Sequence, residues 1–177
     1  MSSPASSATN SIWGWVGWTW ALAGILTILL VPIYRLSLIA WDAFFYKLMW
    51  WHWAATLAWL LFMIYAEGWR GFHRAWAPRT AARAHFLLHH PTPLRVALAP
   101  LFCMCFFEAS RKRKIVAWVL TGFIIALVLI VGVLPQPWRG LIDLGVVVGL
   151  SMGVVSFLFH VLKAFYREPA AELMAVR

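Results

Sequence analysis

Four stretches of the chain are apolar for long enough to cross a hydrocarbon core of about 30 Å, a distance that takes roughly 20 helical residues at about 1.5 Å each. They cover residues 12–34, 44–65, 115–134 and 141–162. A fifth apolar run, 94–107, is shorter and is interrupted by Arg95 and Pro100. Its length falls in the range of re-entrant or interfacial segments rather than of full spans.

Between the second and third spans, Trp69, Phe72 and Trp76 recur at helical spacing while Arg70 and Arg74 point elsewhere, the pattern of a helix lying in the membrane interface. Pro78 is expected to break that helix. Residues 81–90 then form a second short one, ended by Pro91-Thr92-Pro93. The run from Pro135 to Gly140 reads as a tight turn with a Trp138/Arg139 interface anchor, so the last two spans are expected to be antiparallel neighbours.

Composition agrees with the pattern. Hydrophobic residues make up 63% of the 177 and charged residues only 12%, more apolar surface than a water-soluble domain of this size can hide. Residues 1–11 form a Ser/Ala/Thr tail without lysine or arginine, unlike the positive start of a signal peptide, so the first run is expected to be a retained span. The net charge of +9 lies beside the spans, where it sets orientation and meets anionic headgroups. No nucleic-acid partner is expected.

Charge also settles the topology. Arg70, Arg74, Arg79, Arg83 and Arg95 precede or open the fifth run, and Arg111, Lys112, Arg113 and Lys114 follow it. A crossing would put these clusters on opposite sides. If the run dips in and returns, only Arg35, Lys47 and Arg139 lie outside, and the other twelve of fifteen basic residues are cytoplasmic.

The expected architecture is therefore an all-α integral membrane protein: a four-transmembrane-helix bundle with an interfacial amphipathic segment and a re-entrant or interfacial hairpin between helices 2 and 3. Residues 1–11 form a flexible tail, 12–162 a single transmembrane domain with a cytoplasmic interfacial region at 67–114, and 163–177 a cytoplasmic tail. The expected location is a bacterial inner membrane, with both termini cytoplasmic.

Gly145, Gly149 and Gly153, followed by Ser156, fall on one side of the fourth span. Such a stripe lets another helix approach closely, within this bundle or from another subunit. The chain holds thirteen tryptophans, most of them suited to aromatic belts. Their density around Trp50, His52, Thr56 and Trp59 also marks a candidate ligand pocket, because an intramembrane histidine usually faces a bundle interior. His52 and His160 lie at opposite depths, which argues against a haem held between them.

His85, His89 and His90 follow the HxxxHH spacing that resembles one histidine box of membrane di-iron desaturases and hydroxylases. Those enzymes carry several boxes, and the six histidines of this chain cannot supply them. A simpler metal site would add Cys103, Cys105 or Glu108. No cofactor is favoured, and the two cysteines are expected to be reduced thiols.

Packing and interface features outnumber catalytic ones. The expected function is non-enzymatic: an accessory or assembly subunit of a larger membrane complex, working through helix packing and anionic-lipid contacts, with membrane lipids and other membrane-protein subunits as partners. Arg70, Arg74, Arg79, Arg83, Arg111, Lys112, Arg113 and Lys114 form its lipid or partner surface. The alternative is a membrane-embedded binder of, or enzyme acting on, a lipid-like, quinone or pigment molecule, with or without a metal.

Overall fold

A computed structural model describes residues 4–166, with side chains from Ile12. The tail beyond Tyr166 lies outside the described residues. Every regular element among them is helical: α1 (Pro4–Asp42), a short 3-10 turn (Ala43–Phe45), α2 (Trp50–Met63), a π-helix (Ile64–Trp76), α3 (Ala77–His89), α4 (Pro93–Ala97), α5 (Ala99–Cys103), α6 (Arg111–Gly132) and α7 (Trp138–Tyr166).

Three of these helices, α1 from Ile12, α6 and α7, are long and apolar enough to cross a membrane. Three of their hydroxyls are satisfied within the same helix. Thr19 donates to the Trp15 carbonyl (2.9 Å), Thr27 to Ala23 (2.8 Å) and Ser151 to Val147 (2.7 Å). Back-bonding of this kind lets a hydroxyl sit in apolar surroundings without an orphaned donor.

The first two helices differ most from the sequence reading. Helix α1 starts at Pro4, inside the stretch read as a tail, and runs on past Pro32 to Asp42. The second helix begins at Trp50 rather than at residue 44, and the chain from Trp50 to His89 is helical throughout.

Pro78 therefore does not break the helix. Its ring would normally clash with the carbonyl four residues back, and it has no N–H to donate. The wider turns of the π-helix, which hydrogen-bond to the fifth residue back, end at Trp76, two residues before it, and relieve both demands. The residues from Glu67 to Trp76 thus continue α2 instead of forming a separate interfacial helix.

The chain divides into two compact units. One contains the first part of α1 to Thr27, the stretch Ala77–Trp118, and α7 from Phe157. Its core is built from small side chains, Ala21, Ala77, Ala81, Ala84 and Ala99, around Ile25, Leu87, Phe102 and Phe157. Short helix α4 is started by Thr92, whose hydroxyl accepts from the Arg95 amide (3.4 Å), with Pro93 in its first turn. Helices α4 and α5 lie along α1: a Cβ at Gly17 would meet Val96 at 3.0 Å, and the Trp20 indole donates to the Ala97 carbonyl (3.3 Å).

The other unit holds Ile28–Trp76 and Val119–Ser156. Its buried side chains include Leu29, Ala40, Met63 and Leu141, together with the polar His52, Thr56, Asp143 and Ser156.

Candidate functional site

The second unit places six of its buried or half-buried polar side chains, His52, Thr56, Trp59, Glu67, His73 and Ser156, along one seam, where α2 and the π-helix run beside α7. At its start, the His52 ring packs on Trp138, with centroids 4.9 Å apart, and its Nδ1 accepts from the Met49 amide (3.1 Å), closing the first turn of α2. Thr56 donates to the His52 carbonyl (2.7 Å), and the Trp59 indole donates to the Ile142 carbonyl (3.0 Å). His52 Nδ1, the Thr56 hydroxyl and the Trp59 indole N–H are thus engaged inside the protein, while Trp50 is exposed.

Farther along, the glycine stripe of α7 is filled by this chain's own side chains. A Cβ at Gly145 would meet the Trp59 indole and Met63, one at Gly149 would lie 2.8 Å from a Glu67 carboxylate oxygen, and one at Gly153 would lie 2.8 Å from the Phe72 ring. The fit is reciprocal at Gly68, which faces Met152. Beyond it, His73 Nδ1 and the Ser156 hydroxyl are 3.2 Å apart.

Partner numbers rise together along both helices, from Trp59 with Ile142 to His73 with Ser156. The two helices are therefore parallel neighbours.

The π geometry is what keeps this seam continuous. In an α-helix, successive residues turn by about 100°, so a step of five rotates a side chain by roughly 140° away from its starting face. At about 4.4 residues per turn, the geometry an i→i+5 hydrogen bond imposes, the same step displaces it by only about 50°. Phe72 and His73 consequently share the face of Glu67 and Gly68. Sequence reasoning missed Glu67 and His73 because it applied the α period, which spreads them around the helix. The only signal was the apolar and small residues spaced by five, and it is weak.

In the first unit, Arg83 is a correction to the proposed lipid or partner surface. It is 1% exposed. Its Nε donates to the Phe102 carbonyl (2.8 Å), Nη1 to Glu108 (3.2 Å) and Nη2 to Phe107 and Glu108 (3.1 and 3.2 Å). The guanidinium also lies 4.0 Å from the centre of the Phe102 ring. Beside it, Arg95 pairs with Glu108 and donates to the His90 carbonyl.

These two arginines hold a loop in which Cys105 (φ 67°) and Glu108 (φ 48°) adopt the left-handed conformation. Each such residue costs about 1–2 kcal/mol, which the arginine bonds offset. Of the remaining surface residues, Arg70, Arg74, Arg79, Arg111, Lys112 and Lys114 are exposed, and Arg113 is half-buried.

The histidines and cysteines of the first unit are near one another in chain but divided in role. His85 and His89 sit with ring centroids 4.9 Å apart, whereas His90 packs on Phe86. Glu108 is committed to Arg95. Burial pushes the Cys103 thiol up to about 12, so it stays protonated, and Cys105 is half-buried. Among the described residues, no group of three or more histidine, cysteine or acidic side chains is arranged to hold a metal ion.

Compared with known protein families, with characterised proteins and with solved structures, the chain shows no match.

Proposed function

We propose that this protein is a four-span inner-membrane protein that serves as an accessory or assembly subunit of a larger membrane complex. One observation carries the reading: α6, a 22-residue apolar helix, has no buried residue. Only Arg113, Ala117, Thr121 and Val131 are partly covered, and Ile124 and Val128 are 51% and 61% exposed.

Helices inside a membrane bundle associate by close packing, which this chain supplies between α2 and α7 but not around α6. A bilayer-length helix left open on most of its surface is suited to a second membrane protein. Its base strengthens the argument. Arg111, Lys112, Arg113 and Lys114 occupy the first turn, where the positive end of the helix dipole disfavours cations. Anionic headgroups or an acidic partner surface offset that cost.

The second of the four spans is α2 extended by the π-helix, a reading supported by the packing of the Trp50–Trp76 run on α7 from Trp138 to Ser156. Helices α4 and α5 lying along α1 favour the dipping, non-crossing path for residues 94–107. That path keeps the basic clusters and both termini cytoplasmic.

The test is a photo-reactive amino acid placed at Ile124 or Val128 and activated in the native membrane. A discrete adduct with one other polypeptide is expected from these positions. Adducts with lipid alone would contradict the proposal.

A further inference from the structure

Glu67 is the carboxyl that none of the above uses. It sits opposite Gly149, eleven residues into α7, about 16 Å from the Trp138 end at 1.5 Å per residue. If α2 and the π-helix span the membrane, as proposed above, that depth lies within a hydrocarbon core of about 30 Å, toward its cytoplasmic side, where Arg70 three residues on reaches the headgroups.

Among the described residues, Glu67 has no hydrogen-bonding or ionic partner. On its own segment, Arg70 and Arg74 are exposed and His73 is turned to Ser156. On the facing helix, no ionisable side chain occurs between Asp143 and His160. Asp143 itself is beside Arg139. The contact is close enough that Gly149 has no room for a Cβ unless the carboxyl moves.

An unpaired carboxylate at such a place is far costlier than the neutral acid. A second, independent feature marks the same spot. The π-helix is a rare conformation that occurs mostly as single turns at functional sites, and here it spans 13 residues around this one carboxyl.

We propose that Glu67 is a proton-binding site within the membrane domain, its carboxyl carried as the neutral acid while the π-helix is seated on the glycine stripe of α7. To lose the proton, the carboxylate must reach water, so ionisation and separation of the π-helix from Gly149 are coupled. Protonation state thereby becomes linked to the packing of the seam.

The inference rests on the membrane-spanning reading of α2 and the π-helix, but not on the subunit role. The full-length protein, reconstituted in phospholipid vesicles, is treated with the hydrophobic reagent dicyclohexylcarbodiimide and mapped by peptide mass spectrometry. A carboxylic acid adds across one C=N bond of the reagent, its proton passing to nitrogen, and the O-acylisourea rearranges to a stable N-acylurea.

The expected result is an adduct at Glu67 that is lost in Glu67→Gln. A water-soluble carbodiimide with an added amine should modify the exposed Asp42 and Glu108 but spare Glu67. No adduct at Glu67 from the hydrophobic reagent, or equal modification by both reagents, would overturn the proposal. Because the adduct is mapped in the unaltered protein, poor folding of the variant would not obscure the outcome. Labelling at Glu67 reads the proton site alone, whereas crosslinking from Ile124 or Val128 in the native membrane reads the subunit role, so either can fail without the other.

Discussion

A buried guanidinium must find acceptors for its donors, and Arg83 finds three backbone carbonyls in one loop. Arg83→Met removes four hydrogen bonds and leaves those carbonyls unsatisfied. At about 1 kcal/mol per group, the expected loss is about 3 kcal/mol, read as a fall in the thermal unfolding midpoint in detergent. Arg83→Lys should fall between, because an ammonium cannot fork across three acceptors. A methionine variant as stable as wild type would remove this account of the loop. The sequence offered Arg83 as one cation in a basic series, and nothing in its neighbours distinguished it from Arg79, which is exposed. What buries it is the return of residues 102–108 over α3, a contact between distant parts of the chain that local periodicity does not encode. Glu67 was hidden by a different cause, the change of helical period.

At the scale of elements, the seam between α2, the π-helix and α7 separates two kinds of glycine contact. A Cβ at Gly145 runs into the Trp59 ring, whose indole is tied to the Ile142 carbonyl, whereas a Cβ at Gly149 meets the end of a flexible glutamate. Gly145→Ala is therefore expected to cost about 1–3 kcal/mol, as overpacking does, and Gly149→Ala less. Thermal unfolding of the two variants under one condition checks the order, and the reverse order would contradict the packing described. Helices α6 and α7 were legible because hydropathy and length suffice for straight apolar spans. The glycine stripe was legible as a packing face, but not the identity of what fills it. The joined α2 and π-helix was not legible. Its apolar run ends near Tyr65 while the helix does not, and Pro78 gave a stop signal that the wide turns override.

For the whole molecule, the informative contrast is between helices that spend their small residues internally and one that does not. Helix α7 meets this chain's own side chains at Gly145, Gly149 and Gly153, so the stripe is not the surface on which a subunit role depends. Helix α6 is exposed along most of its length and begins in four consecutive basic residues. The pattern of a long apolar helix with a cationic base could be read from the sequence, but its lack of cover could not, because burial is set by the other helices. The most direct test is native mass spectrometry of the protein released from its own membrane in mild detergent. The account predicts a stable, stoichiometric mass containing a second polypeptide, dissociated when Ile124 and Val128 are both replaced by arginine in a variant that still inserts. A lone chain carrying only lipid would contradict it.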